Sequence, residues 1–332
     1  MNKINKKLLR YEYLILLLSF FIFGCSNDKE PPPGFSYINP PDDVCTIAAA
    51  ADTIWAGGKN GLFSIRIAQG KETAEKIKGL SDIAYVRALL LDNDETLWVG
   101  HILGLVTVKN GKLSADLTDK LPDQRVNCLY RDSKGRLWIG TWGGLTLFYD
   151  GKFTTYTEKD GLINNMVNVI CEDSRGRLWI GSYVAPSGGI TVLENGKFLR
   201  FSQKDGLPHS DITSIVKIGE CVWIGTGLYN SGGAILATID DGKLKIVDRK
   251  DKQDGLAGEK VRTIFIDSHE NTWFGSEYDG LVIFHKNGKK RMLTTENGLC
   301  NQEVKCIVED RKGFFWIGTR NGITKIDRKH EQ

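Results

Sequence analysis

The chain has 332 residues, 41% of them hydrophobic and 26% charged, and a formal charge of +3, which leaves room for one large globular domain or two small ones. Lys3, Lys6, Lys7 and Arg10 against Glu12 account for the whole net charge. The remaining body is electrically balanced and offers no footprint for phosphate backbones, so nucleic acid is not an expected partner.

The first segment reads as a targeting signal. A basic stretch is followed by an apolar run from Tyr13 to Phe23 and then by Gly24-Cys25. The run is too short to span a bilayer comfortably and has the length of a secretory core. Ile22-Phe23-Gly24-Cys25 resembles a bacterial lipobox. That resemblance implies a lipoprotein signal peptide over 1–24, lipid on Cys25, and a polar, proline-rich tether over 25–33. The alternative, a short signal anchor with an incidental cysteine, fits less well, because Cys25 stands where the apolar run stops. The expected location is the cell envelope, periplasmic or on a surface-facing outer membrane, held by a lipid anchor alone.

From residue 34 to 332 one pattern repeats. Trp55, Trp98, Trp138, Trp179, Trp223, Trp273 and Trp316 each open a W-x-G triplet. A tryptophan every forty or so residues predicts propeller blades of four strands. Blade four shows the grammar: strand a over 167–172, the turn Asp173-Ser174-Arg175-Gly176, strand b over 178–181, a loop over 182–188, strand c over 189–193, an Asn195-Gly196 hairpin and strand d over 197–201. Strand a starts at Val44, Val86, Val126, Val167, Ile212, Val261 and Val304. Small residues two positions on suit the innermost strand, where blades crowd the axis. Blade seven runs out after its strand c, whereas an orphan strand-like segment near Phe35–Ile38 precedes blade one. The expected fold is therefore an all-β, seven-bladed β-propeller whose N-terminal strand closes the last blade and removes an open edge. The repeated tryptophans are read as interblade packing. The cysteines other than Cys25 are dispersed, with no close pair; they read as small buried residues, not as a disulfide framework or a zinc site.

The string from Asp160 to Gly181, DGLINNMVNVICEDSRGRLWIG, resembles the two-component regulator propeller repeat, with weaker copies over residues 34 to 327. Such propellers usually form periplasmic sensor parts of hybrid histidine kinases and are associated with glycan breakdown products. The resemblance implies binding or sensing. The chain has one propeller where the family usually has two, and no kinase segment, so phosphorelay by this chain is not expected.

Chemistry-bearing motifs are sparse. His101, His209, His269, His285 and His330 show no metal spacing, and no nucleophile elbow, P-loop or dinucleotide fingerprint is placed between strand and helix. No cofactor, metal or catalytic residue is expected. Candidate ligand-binding residues come from the b–c loops and the entries to strand a, which share one face around the channel. They are Trp142, Tyr183, Tyr229, Glu277, Tyr278 and Arg320 from the loops, and Arg87, Asn127, Asn168, Arg262 and Lys305 from the entries. Trp142 and Tyr183 are the expected stacking platforms and Arg87, Arg262 and Arg320 the expected charged donors, an arrangement suited to an acidic sugar. The expected function is a lipid-anchored ligand-binding or sensory propeller whose partner is a small-molecule or glycan ligand. The alternatives are a scaffold for another envelope protein and, less favoured, a lyase-like enzyme using His101 and His209.

Overall fold

The computed structural model describes residues 30–68, 71–78, 83 and 85–330. Cys25 and the signal segment lie outside the described residues. Seven four-stranded antiparallel sheets follow one another along the chain, each ordered a-b-c-d. Strands a are Val44–Ala49, Val86–Leu91, Val126–Arg131, Val167–Glu172, Ile212–Ile218, Val261–Ile266 and Val304–Glu309. Each packs against strand a of the next blade, and that of blade seven packs against that of blade one. The chain is a seven-bladed β-propeller.

The ring closes as the orphan segment predicts. Phe35–Ile38 is the outer strand of blade seven, antiparallel to Gly322–Asp327, with Phe35 opposite Ile326 and Ile38 opposite Ile323. Pairing the first strand with the last blade supplies the hydrogen bonds that an open edge would lack.

The hydrophobic core is divided into seven layers, each between two neighbouring blades and each holding one repeat tryptophan. Trp179 of blade four packs with Ile212, Ile215 and Ile224 of blade five. Trp316 of blade seven packs with Val44, Ile54 and Ile65 of blade one. The glycine two residues after each tryptophan is required by this close approach. A Cβ on Gly181 would lie 2.5 Å from Ile212 Cγ2, and one on Gly57 would lie 2.3 Å from Val86 Cγ1. The W-x-G triplet is thus a packing motif: the ring fills the interblade layer and the glycine admits the next blade.

The a–b turns anchor the tryptophans. In blades two, three, four, six and seven, an aspartate six residues before the tryptophan accepts the indole N–H: Asp92, Asp132, Asp173, Asp267 and Asp310, at 2.7 to 3.0 Å. Asp173 also caps its own turn by accepting from the backbone of Arg175 and Arg177. In blades one and five, Ala49 and Lys217 stand at that position.

By its glycines, the sequence from Thr226 to Gly232 reads as a long b–c loop of blade five, like 182–188 of blade four, and that expectation is corrected. Thr226–Gly232 of blade five is not a loop. Its strand b runs on to Leu228 and strand c begins at Ser231, with Thr226 opposite Gly233 and Gly227 opposite Gly232. Glycines with positive φ on both strands let the hairpin continue where side chains would collide.

Candidate functional site

Every strand a carries a β-bulge immediately after its first residue. The register slips between Val44 and Thr46, and at the equivalent step of all seven blades. A bulge leaves one residue unpaired and re-aims its side chain. The seven bulge residues are Cys45, Arg87, Asn127, Asn168, Thr213, Arg262 and Lys305, and all of them line one cavity of about 490 Å³ at the channel mouth. Asp43, Tyr85, Lys260 and Glu303, each just before its strand a, complete the wall with Tyr183 and Glu277 from b–c loops.

Neighbouring bulge residues bridge the blades. Asn127 Nδ2 donates to the Val167 carbonyl at 2.9 Å, Asn168 Nδ2 to that of Ile212 at 2.9 Å, and Thr213 Oγ1 to that of Val261. Arg87 Nη1 donates to Asn127 Oδ1 at 2.8 Å. The entry loops are tied down as well: the backbone N–H groups of Trp142 and Tyr183 donate to the carbonyls of Arg125 and Met166 at 3.2 and 3.3 Å.

On the side of blades six, seven and one, charges alternate. Lys260 pairs with Glu277, which also faces Arg262 at 3.4 Å. Glu303 lies 3.8 Å from Arg262, 3.3 Å from Lys305 and 3.9 Å from Arg320, and Lys305 also pairs with Asp43. Burial alone would lower the pKa of Lys260, but hydrogen bonds to Glu277 and Tyr183 outweigh it and raise the value. Lys305 is raised in the same way, with Asp43 overcoming the effect of burial. Lys260 Nζ reaches Tyr183 Oη at 2.9 Å across blade five. Gly227, in the position of Tyr183 within its own blade, makes room for this: a Cβ there would lie 3.0 Å from Lys260 Cα.

A second cavity of about 620 Å³ adjoins the first. It shares Asp43, Tyr85, Glu277, Glu303 and Lys305, and adds Lys59, Tyr278, Arg320 and Asn321. Of the residues singled out from sequence, Arg87, Asn127, Asn168, Tyr183, Arg262, Glu277 and Lys305 are brought together in the first cavity, and Tyr278 and Arg320 in the second.

Trp142 and Tyr229 are not brought there. The Trp142 indole N–H donates to Asn127 Oδ1 at 3.1 Å, and its ring carries the Arg125 guanidinium 4.2 Å from the centroid. Trp142 therefore supports the cavity wall instead of offering a stacking face. Tyr229 stands 69% exposed at the tip of the long blade-five hairpin. The three-arginine donor set is also altered, since Arg262 and Arg320 face carboxylates. His101 is buried and its Nδ1 accepts from Leu103 N at 3.4 Å; burial lowers its pKa. His209 Nδ1 lies 3.9 Å from Asp211 Oδ2 and takes the Asp211 backbone N–H at 3.0 Å. Neither histidine lines either mouth cavity. Among the described residues no group of three or more His, Cys, Asp or Glu is placed to hold a metal ion.

Sequence reasoning missed Asp43, Tyr85, Lys260 and Glu303. They share one column, the residue before each strand a, and that column was a signal available in the repeat alignment. Their side chains, two carboxylates, a phenol and an amine, are of mixed type, which hides the column from a search by residue type.

A closed ring of seven W-x-G blades with a polar cavity at the start of its inner strands defines a propeller with a mouth site. The Two component regulator propeller family model matches residues 120–143, 161–184 and 298–321, the strand a and strand b segments of blades three, four and seven. Among solved structures, the chain is similar to the extracellular domain of a hybrid two component system from B. thetaiotaomicron, at 22% identity and a TM-score of 0.75, over 91% of this chain and 42% of that one. It is similar to the extracellular domain of a one component system from the same organism, at 19% identity and a TM-score of 0.71, over 89% of this chain and 40% of that one. It is also similar to virginiamycin B lyase from Staphylococcus aureus, at 16% identity and a TM-score of 0.67, over 88% and 98% of the two chains. At these identities the likeness is one of fold. The chain spans less than half the length of the first two. No curated protein matches the sequence.

Proposed function

We propose that the chain is an extracytoplasmic, lipid-anchored propeller that binds a small hydrophilic ligand, such as a glycan fragment, at the channel mouth, in a binding or sensory role and without catalysis. The observation that carries this reading is the convergence of all seven bulge side chains on one cavity of about 490 Å³, a volume within the ~300–1,000 Å³ of small-ligand sites. The lining is polar: amides, hydroxyls and ionised groups outnumber apolar surfaces there. The extracellular domains of similar fold and the matched repeats support a location outside the cytoplasm. The apolar run ending at Cys25 supports the lipid anchor. Neither His101 nor His209 lines the mouth cavities, which supports a binder over a lyase there.

A glycan array probed with the full chain in detergent tests the reading. Binding of a subset of short saccharides, weakened by Asn168→Ala, is expected. Failure of every saccharide to bind at millimolar concentration overturns it. A second reading, a scaffold for another envelope protein, is favoured by four exposed side chains on the same face: Tyr85 37%, Leu103 50%, Tyr229 69% and Tyr278 52%. A stoichiometric partner lost on Tyr278→Ala, with no saccharide bound, would favour that alternative.

A further inference from the structure

The two halves of the mouth differ in how their charges are committed. Around blades six, seven and one, each of Lys260, Arg262, Lys305 and Arg320 faces a carboxylate. On blade two, the next blade around the ring, stands Arg87, with no ion-pair partner among the described residues; its hydrogen-bond partner there is the neutral Asn127 Oδ1, at 2.8 Å. A guanidinium carries five N–H donors in a planar fork that matches a carboxylate, so most of the fork is left for a ligand.

Arg87 is also held in place. Asn127 Oδ1 accepts from Trp142 Nε1 at 3.1 Å while Nδ2 donates to the Val167 carbonyl at 2.9 Å. Trp142 lies under Arg125, which Asp123 fixes through Nε at 2.8 Å. Next to Arg87 and Asn127 around the ring come groups suited to hydroxyls. Asn168 and Thr213 donate to backbone carbonyls and keep oxygen lone pairs. Tyr183 Oη accepts from Lys260, so its own proton is available to donate. A second anion would meet Asp43, Glu277 and Glu303, which line the same cavity, and like charges at close range oppose one another.

We propose that Arg87 anchors the single carboxylate of the ligand, and that the ligand is a small polyhydroxylated monocarboxylate, its hydroxyls turned to Asn168, Thr213 and Tyr183. This rests on the ligand-binding reading above and specifies the class of ligand.

The test is calorimetric titration of the full chain in detergent with hexuronates and aldonates, each paired with its uncharged amide and its parent sugar. At least one acid is expected to bind about tenfold or more tighter than its amide, the scale of a charge-assisted hydrogen bond. Arg87→Gln is expected to erase that preference and Arg175→Gln, at an exposed a–b turn that lines neither mouth cavity, to keep it, with melting followed for each. If Arg87→Gln does not fold, Arg87→Lys, which keeps the charge and loses the fork, is expected to reduce the preference severalfold. Equal binding of acids and neutral forms, or a preference that survives the loss of Arg87, overturns this inference and leaves the ligand-binding reading standing. If no compound binds and the glycan array is also blank, the ligand-binding reading falls and takes this inference with it.

Discussion

Trp142 donates its indole N–H to Asn127 Oδ1 at 3.1 Å, and the same oxygen accepts from Arg87 at 2.8 Å. The one tryptophan outside the repeat column therefore acts behind the cavity wall, holding the amide that orients the guanidinium. Trp142→Phe keeps a ring under Arg125 and removes only this hydrogen bond. It is expected to weaken ligand binding about fivefold, the scale of one neutral hydrogen bond, while the melting temperature barely moves. Unchanged affinity would show that Asn127 is positioned without it.

Asp173 accepts from Trp179 Nε1 at 2.8 Å and from Arg177 Nε at 2.6 Å, and all three residues are buried. Asp173→Ala leaves the indole N–H unpartnered and the buried Arg177 without its counter-charge, its Nη groups keeping only the Ile239 carbonyl and Thr238 Oγ1, and is expected to cost about 3–5 kcal/mol. Chemical denaturation of the variant measures it.

Asp132 and Asp173 are expected to contribute to the acid limit of the fold. Burial alone would raise the pKa of Asp132 and Asp173, but hydrogen bonds from Trp138 and Arg136, and from Trp179 and Arg177, outweigh it and hold both carboxyls below the ordinary range. A depressed folded value means stability that is complete above the unfolded pKa of about 3.9 and lost as pH falls through the folded one. Melting is expected to decline gently below about pH 6.5, where the unfolded chain protonates His101 and the buried imidazole resists it, and to drop steeply below about pH 4. Asp173→Asn is expected to flatten that drop; an equally steep fall in the variant would assign the acid limit elsewhere.

Removing residues 31–40 takes away the outer strand of blade seven. Ile38 is 6% exposed and Phe35 packs against the layer around Trp273 and Phe315. Two apolar side chains at about 1.5–3 kcal/mol each, together with the lost ladder, predict a marked fall in melting temperature and more self-association through the freed edge. A deletion that melts like the parent would show that the ring does not depend on this closure.

Gly181→Ala tests the packing role of the triplet. The new methyl would lie 2.5 Å from Ile212 Cγ2 and 2.7 Å from Val169 Cγ1, and overpacking of this kind costs about 1–3 kcal/mol. Gly196→Ala is the control for crowding, because nothing lies within 4 Å of its Cβ position; its penalty comes instead from a φ of +78°, which side chains rarely adopt.

The ring was legible because its determinants are local and repeated. Trp179 and Gly181 stand two residues apart, and Val167 opens a β-rich run before a turn with Gly at the end. The starts of all seven inner strands follow from that spacing. The extent of the blade-five hairpin was not legible, since Gly227, Gly232 and Gly233 mark a loop by composition and allow a strand by geometry. The mouth was legible by position and not by partner. Arg87 and Arg262 share a column, yet Glu277 and Glu303 neutralise one and not the other: Glu277 comes from the b–c loop of the same blade and Glu303 from the next blade, both distant from Arg262 in sequence. Lys260 reaching Tyr183 depends on a missing side chain at Gly227, a relationship no local pattern encodes.

The bulge at the head of each inner strand has a consequence for how such a molecule changes over generations. A side chain that the ladder skips does not have to be compatible with strand pairing, only with its neighbours around the opening. Cysteine, arginine, asparagine, threonine and lysine all occupy this one position here, while the tryptophan and glycine of every blade stay fixed. Selectivity and foldability are therefore written at separate addresses in each repeat. Drift at seven sites can retune what the opening accepts, one blade at a time, without renegotiating the architecture that holds it.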